Sequence, residues 1–290
     1  MTSLRATLGF IIHHPANRRR RLRALLVFTG WQIWKRTVHQ PLTTTFSPGL
    51  RVRVHPDSHS GSLALYTGLP EYDDMLFTKR FLRPGDVVID VGANIGLYSL
   101  LAATRAPGGK VIALEPHPVA AGRLRDNVAL NDLHNIDVRA AAAGAEGGVA
   151  RLTANLDTTN HIVADGAEMD SISVPVVTLD EVAAQGEPVA LVKLDAEGFE
   201  SAVLAGARRL LRERVVTAWV VEVNGLGGRY ESGNETVLQT FERAGYLPYR
   251  YFADENLLRP GAEPSGKVEW NLIFVRDLDK VQRRLSGETS

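Results

Sequence analysis

Asp86-Val-Val-Ile-Asp-Val-Gly-Ala-Asn-Ile-Gly-Leu-Tyr-Ser99 is the stretch whose reading decides the fold. Within Val87 to Val91 only Asp90 is not apolar. A short apolar run of this kind reads as a strand buried on both faces. It stops at glycines, and a helical pattern follows from Leu97 to about Thr104. Strand, glycine turn and helix open a doubly wound α/β sheet, in which ligands sit beyond the carboxyl ends of the strands.

The glycine spacing narrows the ligand. Dinucleotide folds use Gly-x-Gly-x-x-Gly, because a pyrophosphate must approach bare backbone at a helix N-terminus. Here Gly92 and Gly96 have three residues between them, and an acid, Asp90, stands at the mouth of the strand. A carboxylate there repels pyrophosphate and suits a cation. S-adenosylmethionine carries a sulfonium and an ammonium and no phosphate. Val111-Ile-Ala-Leu-Glu115 is a second buried-looking strand ending in an acid. A carboxylate at that site can accept from ribose hydroxyls. The plainer alternative is a generic α/β turn with a solvated acid after each strand.

Farther along, Ala190-Leu-Val-Lys-Leu-Asp-Ala-Glu-Gly-Phe-Glu200 carries Asp195 to the same edge of the sheet. Glu197 and Glu200 follow, where acids are also ordinary helix caps. Lys193 sits inside an apolar strand and needs a partner, for which Asp195 and Glu222 are candidates. Four strands thus end in acids: Asp90, Glu115, Asp195 and Glu222. Like charges raise one another's pKa unless a cation intervenes. A sulfonium, Lys193 or Mg²⁺ could serve, although the sequence does not require a metal.

Whole-chain properties exclude several classes. Lys+Arg and Asp+Glu number 33 each, so the net charge of zero argues against nucleic-acid binding as the main task. With no cysteine there are no disulfides and no thiolate metal sites. No apolar run approaches the ~20 residues that cross a bilayer, and the expected location is cytoplasmic. Residues 1–40 stand apart: Arg5, Arg18 to Arg21, Arg23, Lys35 and Arg36 meet no acid, leaving 25 basic against 33 acidic residues elsewhere. With Leu22, Leu25, Leu26, Trp31 and Trp34 they form a basic amphipathic segment. Either it docks on the acidic remainder, or residues 18–36 make peripheral contact with an anionic inner membrane surface.

The expected organisation has four parts. Residues 1–40 are the basic helical segment. Residues 41–83 are a leading hairpin and helix, with strands at Leu50–Val54 and Ser62–Tyr66 and a helix from Glu71 to Leu82. The cofactor-binding domain is 84–276, with strands at Ile136–Ala142, Val174–Leu179, Val215–Val223, Tyr246–Phe252 and Trp270–Val275. Residues 277–290 are a tail expected to fray. The polar stretch Asn155 to His161 and the glycine loop Gly225 to Tyr230 are candidate acceptor loops.

Several motifs resemble the FkbM-type S-adenosylmethionine-dependent methyltransferases. They are Leu82-Arg-Pro-Gly-Asp-Val-Val-Ile-Asp-Val-Gly-Ala-Asn-Ile-Gly96, Leu114-Glu-Pro116, Leu179-Asp180, Val192-Lys-Leu-Asp-Ala-Glu-Gly-Phe-Glu200 and Val203-Leu-Ala-Gly-Ala207. The Lys-x-Asp-x-Glu-Gly-x-Glu segment is the most characteristic. This resemblance implies a Rossmann-like fold of about seven mostly parallel strands, with a last antiparallel strand and helices on both faces. It also implies methyl transfer to a hydroxyl of a sugar or secondary metabolite. Asp90, Gly92, Asn94 and Gly96 would hold the methionine end of the cofactor and Glu115 its ribose, with Asp195 and Glu197 facing the reaction centre.

Asp195, Glu197 and His161 are the candidate bases, since a hydroxyl acceptor must lose a proton. Asn160, Glu222, Asn224, Arg229 and Tyr230 are the candidate acceptor-binding residues. Two other functions compete with this reading. One is a non-catalytic cofactor-binding module that docks a membrane or partner through its basic helix. The other is a nicotinamide dehydrogenase, which the missing Gly-x-Gly disfavours.

Overall fold

The structure is a computed structural model that describes residues 4–153, 161–162, 170–224, 234–261 and 269–287. Helices α1 (Leu4–His13) and α2 (Arg21–Thr37) lead into a hairpin of β1 (Leu42–Ser47) and β2 (Leu50–Val54). Helices α3 (His59–Thr67) and α4 (Tyr72–Phe81) follow. The alternating part begins with β3 (Val87–Val91), α5 (Leu97–Arg105), β4 (Lys110–Leu114), α6 (Pro118–Leu130) and β5 (Ile136–Arg139). A small excursion comprises β6 (Ala142–Ala143), β7 (Gly148–Thr153), β8 (Ser171–Val177) and α7 (Leu179–Val182). The chain returns through β9 (Val189–Leu194), α8 (Glu200–Ala205), α9 (Arg208–Glu213), β10 (Val216–Asn224) and α10 (Asn234–Arg243). It closes with β11 (Leu247–Phe252), β12 (Leu257–Pro260), β13 (Glu269–Val275) and α11 (Leu278–Ser286).

Among the described residues eight strands form the main sheet, in the order β12-β11-β13-β10-β9-β3-β4-β5. Pairing from β5 through β4, β3 and β9 to β10 is parallel, and β13 runs antiparallel between β10 and β11. The expected fold class is therefore the observed one. Strand β3 is the hinge of the topology: β4 and β5 extend the sheet to one side, then the chain comes back to lay β9 against its other edge. Such a reversal opens a crevice at the carboxyl ends of the two central strands. The buried parallel strands read as continuous apolar runs because helices cover both faces. One face packs Ile89, Val192, Trp219 and Phe274 against the α8–α10 side, and the other packs Val88, Leu191, Val220 and Ile273 against Phe77, Phe81 and Ala102.

Five details differ from the sequence expectation. Ser62–Tyr66 lies in α3, not in a strand. The Ser58 hydroxyl accepts from Gly61 N at 3.1 Å to cap that helix, and Gly68, at φ 76°, ends it. Alternation of Leu and Ala mimicked a strand, but both are strong helix formers. The hairpin partner of β2 is instead the Thr-rich β1. Ile136–Ala142 divides between β5 and β6, and the strand near Val174 joins a separate three-stranded sheet ordered β6-β8-β7. The main sheet gains β12 at its edge. Finally, Leu278–Ser286 does not fray. Asp277 caps α11 through Lys280 N, Val281 and Leu285 are buried, and Arg284 clamps Asp86 at 2.8 and 3.1 Å.

Helices α1 and α2 dock on the hairpin and α3. Ala24, Phe28 and Trp31 bury against Phe46, Val52 and Tyr66, and a fully buried large apolar side chain contributes about 1.5–3 kcal/mol. Trp31 Nε1 donates to Ser62 Oγ at 2.9 Å, and Asn17 Nδ2 donates to the carbonyls of Ile11 and Tyr66 at 3.0 and 3.1 Å. Among the described residues no helix is long and apolar enough to cross a membrane.

Candidate active site

The turn after β3 is shaped by three left-handed residues, Gly92 (φ 75°), Asn94 (φ 50°) and Gly96 (φ 92°). A Cβ on Gly96 would lie 2.1 Å from Leu124 Cδ1 and would displace that side chain, and the φ of 92° itself favours glycine. Asn94 tolerates its backbone because its Oδ1 accepts from Ile95 N at 2.8 Å, and Ser60 Oγ donates to the same atom at 3.0 Å. Asn94 N donates to Glu115 Oε2 at 2.8 Å, and His117 N donates to Oε1 at 2.8 Å. The glycine turn and the acid at the end of β4 are thus one assembly. Burial pushes Glu115 up to about 7, against those two donors. Asp90 sits deeper than its sequence position suggested. It lies inside β3, is 2% exposed, and accepts from Ser99 Oγ at 2.5 Å, which ties β3 to the first turn of α5. Burial raises it to about 6, opposed by the Ser99 hydrogen bond.

Strand register aligns the remaining acids. Asp90 pairs with Lys193, and Val221 pairs with Leu194, which brings Glu222 beside Asp195; Glu222 in turn pairs with Asn271. Paired residues share a face, and side chains two apart along a strand share it too. Asp90, Lys193, Asp195, Glu222 and Asn271 therefore project toward α4 and α5. There Lys193 Nζ meets Asp195 Oδ2 at 3.0 Å and lies 5.2 Å from the Tyr98 ring centre. Tyr98 Oη donates to Glu71 Oε2 at 2.8 Å. Asn271 Nδ2 donates to Glu71 Oε2 at 2.6 Å and to Asp74 Oδ2 at 3.0 Å.

Charge is distributed unevenly in this cluster. Burial opposes the charge on Lys193, but the carboxylates of Asp195, Glu71 and Glu222 more than offset it and hold the lysine protonated. Burial also works against Asp195, yet the Lys193 ammonium keeps its carboxyl below the ordinary range. Glu222 is driven the other way, by burial and by the Asp195 charge, and it carries the proton the two acids share. With both acids ionised, Asp195 Oδ1 would be buried without a donor; the Glu222 carboxyl supplies one.

The turn after β9 separates the two following acids. Glu200 is 5% exposed and its Oε1 accepts from Ala196 N and Gly198 N at 3.0 and 3.1 Å, so it holds the turn. Glu197, at φ 53°, instead swings toward the row: Asp195, Glu197 and Glu222 offer oxygen atoms within 4.8 Å of one another. Hard divalent cations such as Mg²⁺ take oxygen ligands of this type.

The other candidates are placed differently. His161 is set by backbone bonds to the end of β7, its N donating to Thr153 Oγ1 and its O accepting from Thr153 N, both at 3.0 Å. The end of β7 thus sets its backbone position. Asn224 is the last residue of β10, opposite Glu269. Asn160, Arg229 and Tyr230 lie outside the described residues. Sequence reading missed Glu71, Asp74, Tyr98, Ser99 and Asn271. Of these only Ser99 carried a local signal, one helical turn beyond the glycines.

A doubly wound sheet with an inserted antiparallel strand, and an acid-lined crevice lacking the pyrophosphate glycines, defines a Rossmann-like S-adenosylmethionine-dependent methyltransferase. The residues present suit that cofactor, because Asp195 and Glu197 bring carboxylate oxygens together beside the glycine turn, where a sulfonium cation is favoured. The profile of the Methyltransferase FkbM domain matches residues 90–248. The 31-O-demethyl-FK506 methyltransferase FkbM of Streptomyces tacrolimicus is 34% identical over 182 residues, 51% of this chain and 70% of that protein. Methyltransferase sdnD of Sordaria araneosa is 30% identical over 199 residues, 56% of this chain and 76% of that protein. The hexuronic acid methyltransferase AglP of Haloferax volcanii is 30% identical over 145 residues, 48% of this chain and 56% of that protein. The chain belongs to the FkbM methyltransferase family.

Proposed function

We propose that this methyltransferase acts on oxygen, methylating a hydroxyl of a sugar or secondary metabolite in the cytoplasm, with Asp195 as the proton acceptor. One observation carries the reading: Lys193 Nζ lies 3.0 Å from Asp195 Oδ2 at the carboxyl edge of the sheet, a contact that favours the ionised acid, while burial and the Asp195 charge push the neighbouring Glu222 toward its protonated form. A non-catalytic binder has no use for an acid pair that shares one proton. The names of two relatives also support oxygen. One refers to a compound lacking an O-methyl group, and the other to hexuronic acid, which offers several hydroxyls.

When bound, the cofactor supplies an electrophilic methyl group on sulfur. Asp90, Gly92, Asn94 and Gly96 would hold its amino-acid end, and Glu115 would accept from its ribose hydroxyls. Asp195 takes the acceptor's proton, while Lys193 fixes its carboxylate in place and Glu222 donates to it. Holding acceptor and donor in line can supply ~7–11 kcal/mol of the barrier. Glu222, with Asn160, Asn224, Arg229 and Tyr230, would line the acceptor side, and Glu197 and His161 are the other candidate bases. Lys193 balances the charge of Asp195, and Asp195, Glu197 and Glu222 could also hold Mg²⁺, which the proposed mechanism does not require.

The test is turnover of methyl-labelled cofactor with a panel of hexuronic acids, neutral sugars and polyketide alcohols, the methylated atom being located by NMR. Label on oxygen, and a drop of at least ~100-fold in Asp195→Asn at unchanged cofactor affinity, is the expected result. Label on nitrogen or carbon, or undiminished turnover in the variant, would refute it.

A further inference from the structure

Helix α2 has two apolar faces. Ala24, Phe28 and Trp31 point into the protein. Leu22, Leu26 and Ile33 point out of it, 80%, 73% and 58% exposed. At 3.6 residues per turn these three fall within about 40° of one another around the axis, roughly opposite the buried face. They form a stripe about 16 Å long. Trp34, 36% exposed, lies to one side of the stripe near its C-terminal end. Single exposed apolar residues are commonplace, but an aligned row on a helix that already has a buried face marks a contact surface.

The charges around the stripe identify what it contacts. Arg19, Arg20, Arg21 and Arg23 are exposed at the N-terminal end of α2, and Arg36 is exposed near its other end. Arg18 is engaged by Asp254. Among the described residues no acid lies within ion-pair reach of the other five. An apolar stripe bordered by arginines, with a tryptophan at its edge, has the chemistry of an interfacial helix. Acyl chains take the leucines, and anionic headgroups pair with the guanidinium groups.

We propose that the outer face of α2 is a docking surface for an anionic lipid bilayer, on which the protein rests peripherally while the inner face of the same helix anchors it to the hairpin and α3. Docking on the protein and binding a membrane, which looked like alternatives in the sequence, then belong to opposite sides of one helix. The proposal is independent of the acceptor chemistry.

The experiment is cosedimentation of the full chain with phosphatidylcholine vesicles, with and without about one third phosphatidylglycerol. The expected result is binding to the anionic vesicles alone, weakened as salt rises toward ~0.5 M. Leu22→Gln/Leu26→Gln/Ile33→Gln and, separately, Arg20→Gln/Arg21→Gln/Arg23→Gln should each lower partitioning by at least about tenfold. All six side chains are exposed, so both variants should melt at the wild-type temperature and bind cofactor normally. Failure to bind anionic vesicles at low salt, equal binding to neutral ones, or unaltered binding by either variant would overturn the proposal. A dimer in solution that the leucine variant breaks, without vesicle binding, would assign the face to a second copy of the chain and overturn it as well.

Discussion

A Cβ built on Gly92 would lie 1.8 Å from the carbonyl oxygen of Asp195. The turn that shapes the cofactor pocket and the residue proposed to take the acceptor proton are therefore in direct backbone contact. Cofactor and base are positioned by the same parallel register of β3 and β9, in which Val91 pairs with Leu194 and Asp195 N donates to the Val91 carbonyl.

Replacing Gly92 with alanine should damage both functions. The left-handed backbone costs an alanine about 1 kcal/mol, and the clash forces the two strand ends apart. We expect a loss of at least ~2 kcal/mol in stability and a fall of at least ~10-fold in cofactor affinity. Thermal denaturation and calorimetric titration check this. A variant matching the wild type in both would show that the contact is not needed.

Lys193 sets the ionisation of Asp195, and the sign of its removal follows. The ammonium holds the Asp195 carboxyl low, against burial. In Lys193→Met that charge is gone and burial prevails, so the Asp195 pKa rises. The acid limb of the kcat profile should move to higher pH, and turnover at neutral pH should fall by at least ~10-fold. Stability should also fall by about 3–5 kcal/mol, because a buried ion pair loses one member. Lys193→Arg should restore part of the rate. An unmoved acid limb would separate Lys193 from the base.

Glu115 makes cofactor affinity depend on pH. Ribose hydroxyls donate hydrogen bonds, so the ionised carboxylate is the form that binds them. Burial pushes Glu115 up to about 7. The Kd should accordingly decrease as pH rises through about 7, with proton release on binding below that pH. Calorimetry in buffers of different ionisation enthalpy counts the proton. Glu115→Gln should bind more weakly and with a flat profile between about pH 6 and 8; a slope retained in that variant would assign the proton elsewhere.

The central fold was legible because buried parallel strands leave continuous apolar runs, and because Gly92, Gly96 and the acids after them fix the turn. Asp90, Lys193, Asp195 and Glu222 could be read as a group because each closes or adjoins such a run. Their partners could not. Glu71 meets Asn271 across 200 residues of chain, and nothing near either residue announces the other. The Ser62–Tyr66 error arose because Leu-Ala-Leu alternates whether or not the backbone does, and a serine cap four residues earlier decided the matter. Helix α11 was missed because just two apolar residues, Val281 and Leu285, are buried in an otherwise charged segment.

The same hidden network predicts how stability changes with pH. Asp74 accepts from Asn271 at 3.0 Å beside Glu71. Burial, helped by the Glu71 charge, pushes it from an ordinary 3.8 to about 7. A folded chain that holds this proton more tightly than the unfolded chain is stabilised fully below about pH 4, and the contribution is lost as pH rises toward about 7. The loss attributable to Asp74 is at most ~4 kcal/mol. Asp74→Asn cannot titrate, and its side-chain oxygen can still accept from Asn271. The melting temperature of the variant, relative to wild type, should therefore increase steadily between pH ~4 and ~7 and level off above. Asp90 and Glu115 titrate in both proteins and cancel from the difference. A difference that stays constant across that range would mean that Asp74 remains ionised in the folded protein, with its charge balanced by Lys193 across the cluster.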